Sequence, residues 1–459
     1  MRYTVAILCS LALLAATDPA CAQDHVLDPG FGVGGQRTVP FDLGGVDSDR
    51  AMRVLRRDDG RLVLVGTATS ASGLRVAVAQ LTESGSLDAS FGTGGRANFD
   101  ACMSEVTDAA LTADGKILVL GNTIACGTNG TPDGRLMRLT SSGALDTSFV
   151  GGGIRNVTLS DVEEAHERAF ALVVRANGEI LVGGSVDQDG PGTVNRESPA
   201  FRQLSSEGVA MARVLGIITS FSGRIVGGVR NPDGGATWLV DYDASLNATS
   251  ARLWRLTATL VSDTSFGTFG VKDIESAGPE TGCGTGFDHR ATALVRMQDR
   301  FKIFGWVNVS GTLRSWYANV NDAPGGTGLR IRCLTDVLPG DVSVQAAAPP
   351  RAGDDDVALA AVCGVFQQCV LRVRVVPSAG GDFFELDPAF NSGLPVVLSY
   401  TAAPGNAPAG GGLGILRQPN GGTVVTGWRR WNTSGDDDFA VSRLGGGGPL
   451  LVDSFEATP

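Results

Sequence analysis

The stretch Leu-Asp-Ala-Ser-Phe-Gly-Thr-Gly-Gly at 87–95 stands between two near copies, LDPGFGVGG at 27–35 and LDTSFVGGG at 145–153. The phrase returns as SDTSFGTFG at 262–270 and, decayed, as LDPAFNSG at 386–393. Its phenylalanine marks the register. Phe31 to Phe91 is 60 residues and Phe91 to Phe149 is 58. Phe149 to Phe266 is 117 and Phe266 to Phe390 is 124, each two periods with one marker missing. Six steps join seven positions, so the chain reads as seven units of about 60 residues. Five carry the phrase; the fourth and sixth have lost it.

A second phrase keeps the same register: DGRLVLVG at 59–66, DGKILVLG at 114–121 and NGEILVGG at 177–184, with weaker copies at 222–228, 299–306 and 420–427. A turn dipeptide followed by a short apolar run ending in glycine reads as a hairpin feeding a buried strand. A strand-like run precedes each turn, as at 51–57 and 170–176, and a third follows, as at 76–81, 135–140 and 439–444. A fourth comes after the LDxSFG phrase, as at 36–41 and 96–100. Four short strands per period make a propeller blade. The expected fold is therefore all-β, a propeller of about seven four-stranded blades. The units run 27–86, 87–144, 145–208, 209–261, 262–322, 323–385 and 386–444. The strand near 36–41 is expected to complete the last blade beside 439–444, because closed propellers leave few open edges.

These phrases resemble the delta-60 repeat family of bacterial exported proteins, whose pattern is an LDxSFGxGG turn, a DGKI strand with a glycine end, and a [DN]FAxxRL strand. The resemblance covers about 27–444 and fails in units four and six. It implies a β-propeller-like fold and no established activity.

Each residue of the phrase has a structural role that explains its repetition. The glycines permit positive φ in a tight turn. The aspartate closes an Asx-type turn. The phenylalanine plugs the gap between blades, which cannot bury their faces alone. Gly30-x-Gly32-x-Gly34-Gly35 resembles a dinucleotide loop only superficially, since no strand precedes it, no helix pattern follows, and the turn recurs at Gly92.

The ends suggest export. Arg2, the apolar run from Val5 to Ala16, and Ala20 and Ala22 form a signal pattern with cleavage after Ala22. Asp18-Pro19-Ala20 before Cys21 lacks the apolar residue of a lipidation site. The expected location is secreted or periplasmic, with no membrane span. Residues 445–459 read as a glycine-rich linker and tail. The net charge is −11 with only three lysines (Lys116, Lys272, Lys302), which argues against nucleic acid as a partner. Six cysteines follow the signal, Cys102, Cys126, Cys283, Cys333, Cys363 and Cys369, and an even number in an exported chain favours disulfides. Six cysteines allow 15 connectivities; pairing between sequence neighbours is expected, with Cys363 and Cys369 flanking a short turn and Cys102 and Cys126 in one unit.

Catalytic and metal candidates are weak. Asp354-Asp355-Asp356 and Asp436-Asp437-Asp438 are the places calcium would occupy, yet the first occupies the turn slot of Asp58-Asp59-Gly60, Asp438 of the second stands where the resembled family carries Asp or Asn before the FAxxRL strand, and neither shows the spaced loop pattern of a calcium site. His289 neighbours Asp288, but adjacent strand residues face opposite ways; His166 lies in a charged loop. No GxSxG elbow occurs. No catalytic, cofactor or metal residue is therefore assigned. Trp306, Trp316, Trp428 and Trp431 fall in units five and seven. Inter-blade packing is the simpler role for them, and Trp428, Arg429, Arg430 and Trp431 form the candidate ligand patch. The expected function is a monomeric exported scaffold binding an extracellular or cell-envelope glycan or protein. The alternatives are an extracellular hydrolase or lyase with a site in the central channel, and a passive structural module.

Overall fold

The computed structural model describes residues 25–445 except 45–47, 124–131, 161–165, 188–196, 216–222, 243–248, 276–287, 298–299, 323–328, 335–340, 351–355, 365–366, 377–382, 401–408 and 431–435. They form seven sheets, each built on four strands that pair antiparallel. Blade one is Arg50–Arg56, Leu62–Ser70, Gly73–Leu81 and Arg96–Phe99. The innermost strands of the other blades are Glu105–Leu111, His166–Val174, Gly223–Arg230, Asp288–Met297, Val342–Ala348 and Ala409–Arg417. Each of the seven touches the next, and the last touches the first, so the ring is closed.

Closure uses the expected strand. Gln36–Val39 joins the last sheet beside Asp437–Leu444, pairing Gln36 with Ser442 and Val39 with Phe439. Each unit likewise gives its first strand to the preceding blade, as Arg96–Phe99 pairs with Gly73–Leu81. A sequence unit is thus offset from a blade by one strand. Units four and six form blades without the phrase. In blade six the outer edge is split, with Phe383–Leu386 and Val396–Leu398 pairing different parts of Gln367–Val376.

The phrase performs the expected structural work. The aspartate Oδ1 accepts the backbone N–H two residues on at Asp28, Asp88, Asp146, Asp263 and Asp387, at 2.8–3.2 Å. Its other oxygen takes an arginine from the third strand: Arg443 on Asp28, Arg138 on Asp146 and Arg372 on Asp387, at 2.6–2.7 Å. That guanidinium lies over the phenylalanine, Arg443 at 4.8 Å from the Phe31 centroid and Arg138 at 4.6 Å from Phe149. Phe31, Phe91, Phe149, Phe266 and Phe390 are all buried.

Each phenylalanine of the first three phrases meets a glycine of the next blade. A Cβ at Gly85, Gly143 or Gly208 would stand 2.9, 2.6 or 2.4 Å from the rings of Phe31, Phe91 and Phe149. In the fourth blade the same turn carries Leu260 in place of glycine, still at φ +61°. Its ring partner is the phrase that unit four has lost. Leu260 is buried with Phe201, Trp238 and Trp254 and fills the gap from the opposite side.

Cys363 and Cys369 form a disulfide across the hairpin of Asp356–Cys363 and Gln367–Val376, with Cα atoms 5.9 Å apart. Cys102 and Cys333 are each in a disulfide as well. Cys126 and Cys283 lie outside the described residues.

Candidate functional site

All seven innermost strands carry a β-bulge at the same place, at Met52, Thr107, Phe170, Val226, Thr292, Gln345 and Leu413. The bulge explains the glycine of the second phrase. The strand does not end there, as Leu62–Ser70 runs four residues past Gly66. A Cβ at Gly66, Gly121, Gly184 or Gly305 would lie 2.0–2.1 Å from the carbonyl oxygen of Arg50, Glu105, Arg168 or Arg290. The glycine is therefore needed for close approach of the bulged strand, a different reason from a turn.

The residue two before each bulge is Arg50, Glu105, Arg168, Arg224, Arg290, Ser343 and Gly411 in turn. Four of the seven are arginine, and together they form a rim around one end of the propeller axis. Carboxylates tie the guanidiniums across blade junctions. Arg50 of blade one reaches Asp437 of blade seven at 2.8 Å, and Arg430 reaches the other oxygen of Asp437 at 2.9 Å. Arg168 of blade three reaches Glu105 of blade two at 2.8 Å. Arg224 and Arg290, of blades four and five, share Asp241 at 3.5 and 3.7 Å. The arrangement is asymmetric in depth. The Asp437 and Asp241 side chains are 1% exposed, whereas the arginines stay 33–42% exposed. At the Asp437 and Asp241 junctions positive charge faces solvent and negative charge lies beneath it, whereas Glu105 is as exposed as Arg168.

Two aromatic rings underlie the rim. Arg50 and Arg430 both cover Trp428, at 4.7 and 5.3 Å from the ring. Arg168 and Arg224 flank the bulge residue Phe170 at 5.2 and 5.6 Å. The backbone entering the rim is pinned from inside. Buried Glu167 accepts the N–H groups of Leu159 and Ser160, and buried Asp49 accepts that of Phe41. Burial pushes the Glu167 carboxyl up to about 7, against the two N–H donors that favour its charged form.

A cavity of about 440 Å³ opens between blades two and three on this face, walled by Glu105, Asn122, His166, Arg168, Ser185 and Asp187. A larger one, about 740 Å³, lies at the opposite strand ends between blades one and two. There Arg57 is committed to Gln80, the Gly115 carbonyl and the Ser141 carbonyl, and Arg61 to Asp59 and Asp88. At that end Arg61 and its partner Asp59 are both exposed, whereas at the rim two buried aspartates underlie exposed arginines, and this sets the rim apart as the candidate site.

The sequence-predicted patch divides. Trp428 is 8% exposed beneath two arginines and Arg429 is buried, so neither presents a flat stacking face. Arg430 belongs to the rim, and Trp431 lies outside the described residues. Trp316 is fully buried against the core of blades four and five. His166 opens an innermost strand and walls the smaller cavity rather than sitting in a loop. His289 lies in strand Asp288–Met297, beside Val307 of the next strand. Asp356 is paired with Arg372 and Arg417, and Asp437 with the rim; Asp354 and Asp355 lie outside the described residues. Among the described residues, no three His, Cys, Asp or Glu side chains converge in a way that could hold a metal ion. No described helix is long and apolar enough to cross a membrane. The rim arginines were missed in the sequence although a signal exists. Arg50, Glu105, Arg168, Arg224 and Arg290 each stand nine residues before the turn residue Asp59, Asp114, Asn177, Asp233 or Asp299.

Residues 57–91 and 112–149 match the family described as "Domain of unknown function (DUF5122) beta-propeller". No curated protein matches the chain. Among solved structures, the chain is similar to Drosophila Semaphorin 2a at 9% identity and a TM-score of 0.52, covering 89% of this chain and 75% of that one. Drosophila Semaphorin 1a, extracellular domains 1-2, gives 12% identity, 89% and 88% coverage and a TM-score of 0.47. A thermostable family-43 glycoside hydrolase gives 12% identity, 76% and 96% coverage and a TM-score of 0.32. At these identities the likeness concerns fold alone.

Proposed function

We propose that this chain is an exported scaffold that binds an extracellular or cell-envelope ligand at the arginine rim. One observation carries the reading. The rim position holds arginine in four blades, while Ser343 and Gly411 occupy it in two others whose bulges are the same. The fold therefore does not require arginine there. The scaffold residues of the LDxSFG phrase behave differently: they recur in every good copy, and where unit four lacks the phenylalanine Leu260 fills the gap. Half-exposed arginine over aromatic rings is a common composition for a recognition surface. Export follows from the signal pattern at 1–22, and the delta-60 resemblance supports a bacterial envelope setting.

The test is a glycan and peptidoglycan array probed with the mature protein and with an Arg168→Ala/Arg224→Ala/Arg290→Ala variant of matched fold by circular dichroism. The parent is expected to capture a ligand that the variant loses. A ligand retained by the variant places the site elsewhere. No capture by the parent favours the passive structural module.

A further inference from the structure

We propose that the outermost strand of blade three, Ala210–Leu215, is a dimer interface that pairs antiparallel with the same strand of a second copy of this chain. The proposal is independent of the rim reading and replaces the monomer expected from sequence.

A missing phrase bares this edge. Ten residues separate Gly85 from strand Arg96–Phe99 and Gly143 from Ile154–Val157, and nine of them are the phrase. One residue, Val209, separates Gly208 from Ala210–Leu215. Leu260 refills the junction with blade four, but the start of the strand stays bare. Val209, Ala210, Met211 and Ala212 are exposed in succession.

The other blades blunt their outer edges. The outermost strands of blades seven, one and two are four residues long, and each carries an arginine, Arg37, Arg96 or Arg155. Blade four is capped by Leu329–Arg330, blade six has its split edge, and Arg332–Cys333 of blade five is two residues long. Ala210–Leu215, at six residues, is the longest outermost strand, and among the described residues nothing pairs with its outer side. Such an edge offers a row of backbone donors and acceptors, and the group that satisfies the whole row is another strand.

The surroundings are built for contact. The described residues expose nine large apolar side chains, and five of them gather on three adjacent blades: Val150, Val209, Met211, Val261 and Phe269. Val150 donates its N–H to the carbonyl of Glu207, just before the bare strand. Phe269 is 79% exposed at φ +54°, where Gly34 and Gly94 take φ +60°. A Cβ at either glycine would meet nothing within 4 Å, so the turn itself gives no reason for a phenylalanine.

Charge favours a second copy as the occupant. The net charge is −11, so two copies repel over most of their surface, yet no acid occurs from Gly208 to Leu215. Arg213 is the one charge in that stretch. With the two-fold axis on Met211, between Met211 and Ala212, or on Ala212, Arg213 falls opposite Val209, Ala210 or Met211 of the second copy. No like charges then stand opposite each other, and the apolar run meets itself. An interface of this kind uses the same patch on both copies and closes at two.

The experiment is sedimentation velocity of the mature protein from about 1 to about 100 µM, with hydrogen exchange at both ends of that range. The parent should pass from monomer to dimer, and the amides of 210–215 should exchange more slowly in the dimer. Met211→Lys should weaken dimerisation at least about tenfold, by setting like charges near the axis. Phe269→Gly should also weaken it, while raising the urea midpoint at a concentration where the parent is monomeric. Val33→Lys, at an equally exposed apolar residue of blade seven, should leave the dimer unchanged. A monomer throughout overturns the proposal, as does a dimer indifferent to Met211→Lys or equally sensitive to Val33→Lys. Assembly beyond two copies, or a dimer that leaves exchange at 210–215 unaltered, overturns the strand pairing as well.

Discussion

Replacing Gly143 by alanine tests how the blades are joined, because the new methyl has one identified obstacle. Its carbon would lie 2.6 Å from the Phe91 ring, far inside contact distance, and Phe91 is fully buried. Two costs add. The residue sits at φ +85°, where any L side chain costs roughly 1–2 kcal/mol. Overpacking against the ring adds roughly 1–3 kcal/mol. Phe91→Ala alone should cost roughly 3–5 kcal/mol, the range for deleting a buried aromatic. In the double variant the backbone cost of Gly143→Ala remains but the clash disappears, and its methyl recovers part of the emptied space. The double variant should therefore fall short of the sum of the singles by about 1–3 kcal/mol. The assay is equilibrium urea denaturation followed by tryptophan fluorescence and circular dichroism, with coincident transitions required of each variant. Additivity within about 0.5 kcal/mol would mean that the two residues do not share a junction. It would refute the inter-blade plug as the reason the phrase repeats.

Leu260→Gly should destabilise by about 1–3 kcal/mol in the same assay, since the lost packing outweighs the relief of its left-handed backbone; a gain in stability would show that Leu260 does not stand in for the missing phenylalanine. Glu167 has a folded pKa of about 7, above its unfolded value, so its contribution is fully present below about pH 4.5 and is lost as pH rises toward 7. Glu167→Gln should flatten the decline in urea midpoint between about pH 5 and pH 8, and an unchanged slope would remove burial of this carboxyl as its cause.

Much of the fold was legible because each period repeats the same local chemistry. The spacing of Phe31, Phe91, Phe149, Phe266 and Phe390 predicted seven units, and the pairing of Gln36–Val39 with Asp437–Leu444 follows from the need to close the ring. The loss of the phrase in unit four was visible, but its compensation at Leu260 was not, because the two positions stand at opposite ends of one unit and meet only across the junction between the blades to which those ends belong. The glycine of LVLVG was read as a strand end. It is a point of close approach to a bulge, and a bulge leaves no mark in hydrophobic periodicity. The candidate patch was chosen on tryptophan content. The structure buries Trp428 under Arg50, a residue from the far end of the chain that sequence proximity could not supply. The rim was missed because its arginines are separated by whole units and appear only when the units are aligned on their turns.

The rim exists only if the ring closes, since Arg50 finds Asp437 across the seam between the first and last blades. The ring is closed inside the last blade, where the N-terminal strand pairs Thr38 with Ala440. Antiparallel partners lie about 4.5–5.5 Å apart at Cα, within the span a disulfide bridges. The direct measurement is therefore oxidation of a Thr38→Cys/Ala440→Cys variant, with the linked peptides identified by mass spectrometry after proteolysis. The closed propeller predicts a near-quantitative cross-link within one chain and a raised urea midpoint. Free thiols at both positions, or a link formed only between two chains, would contradict it.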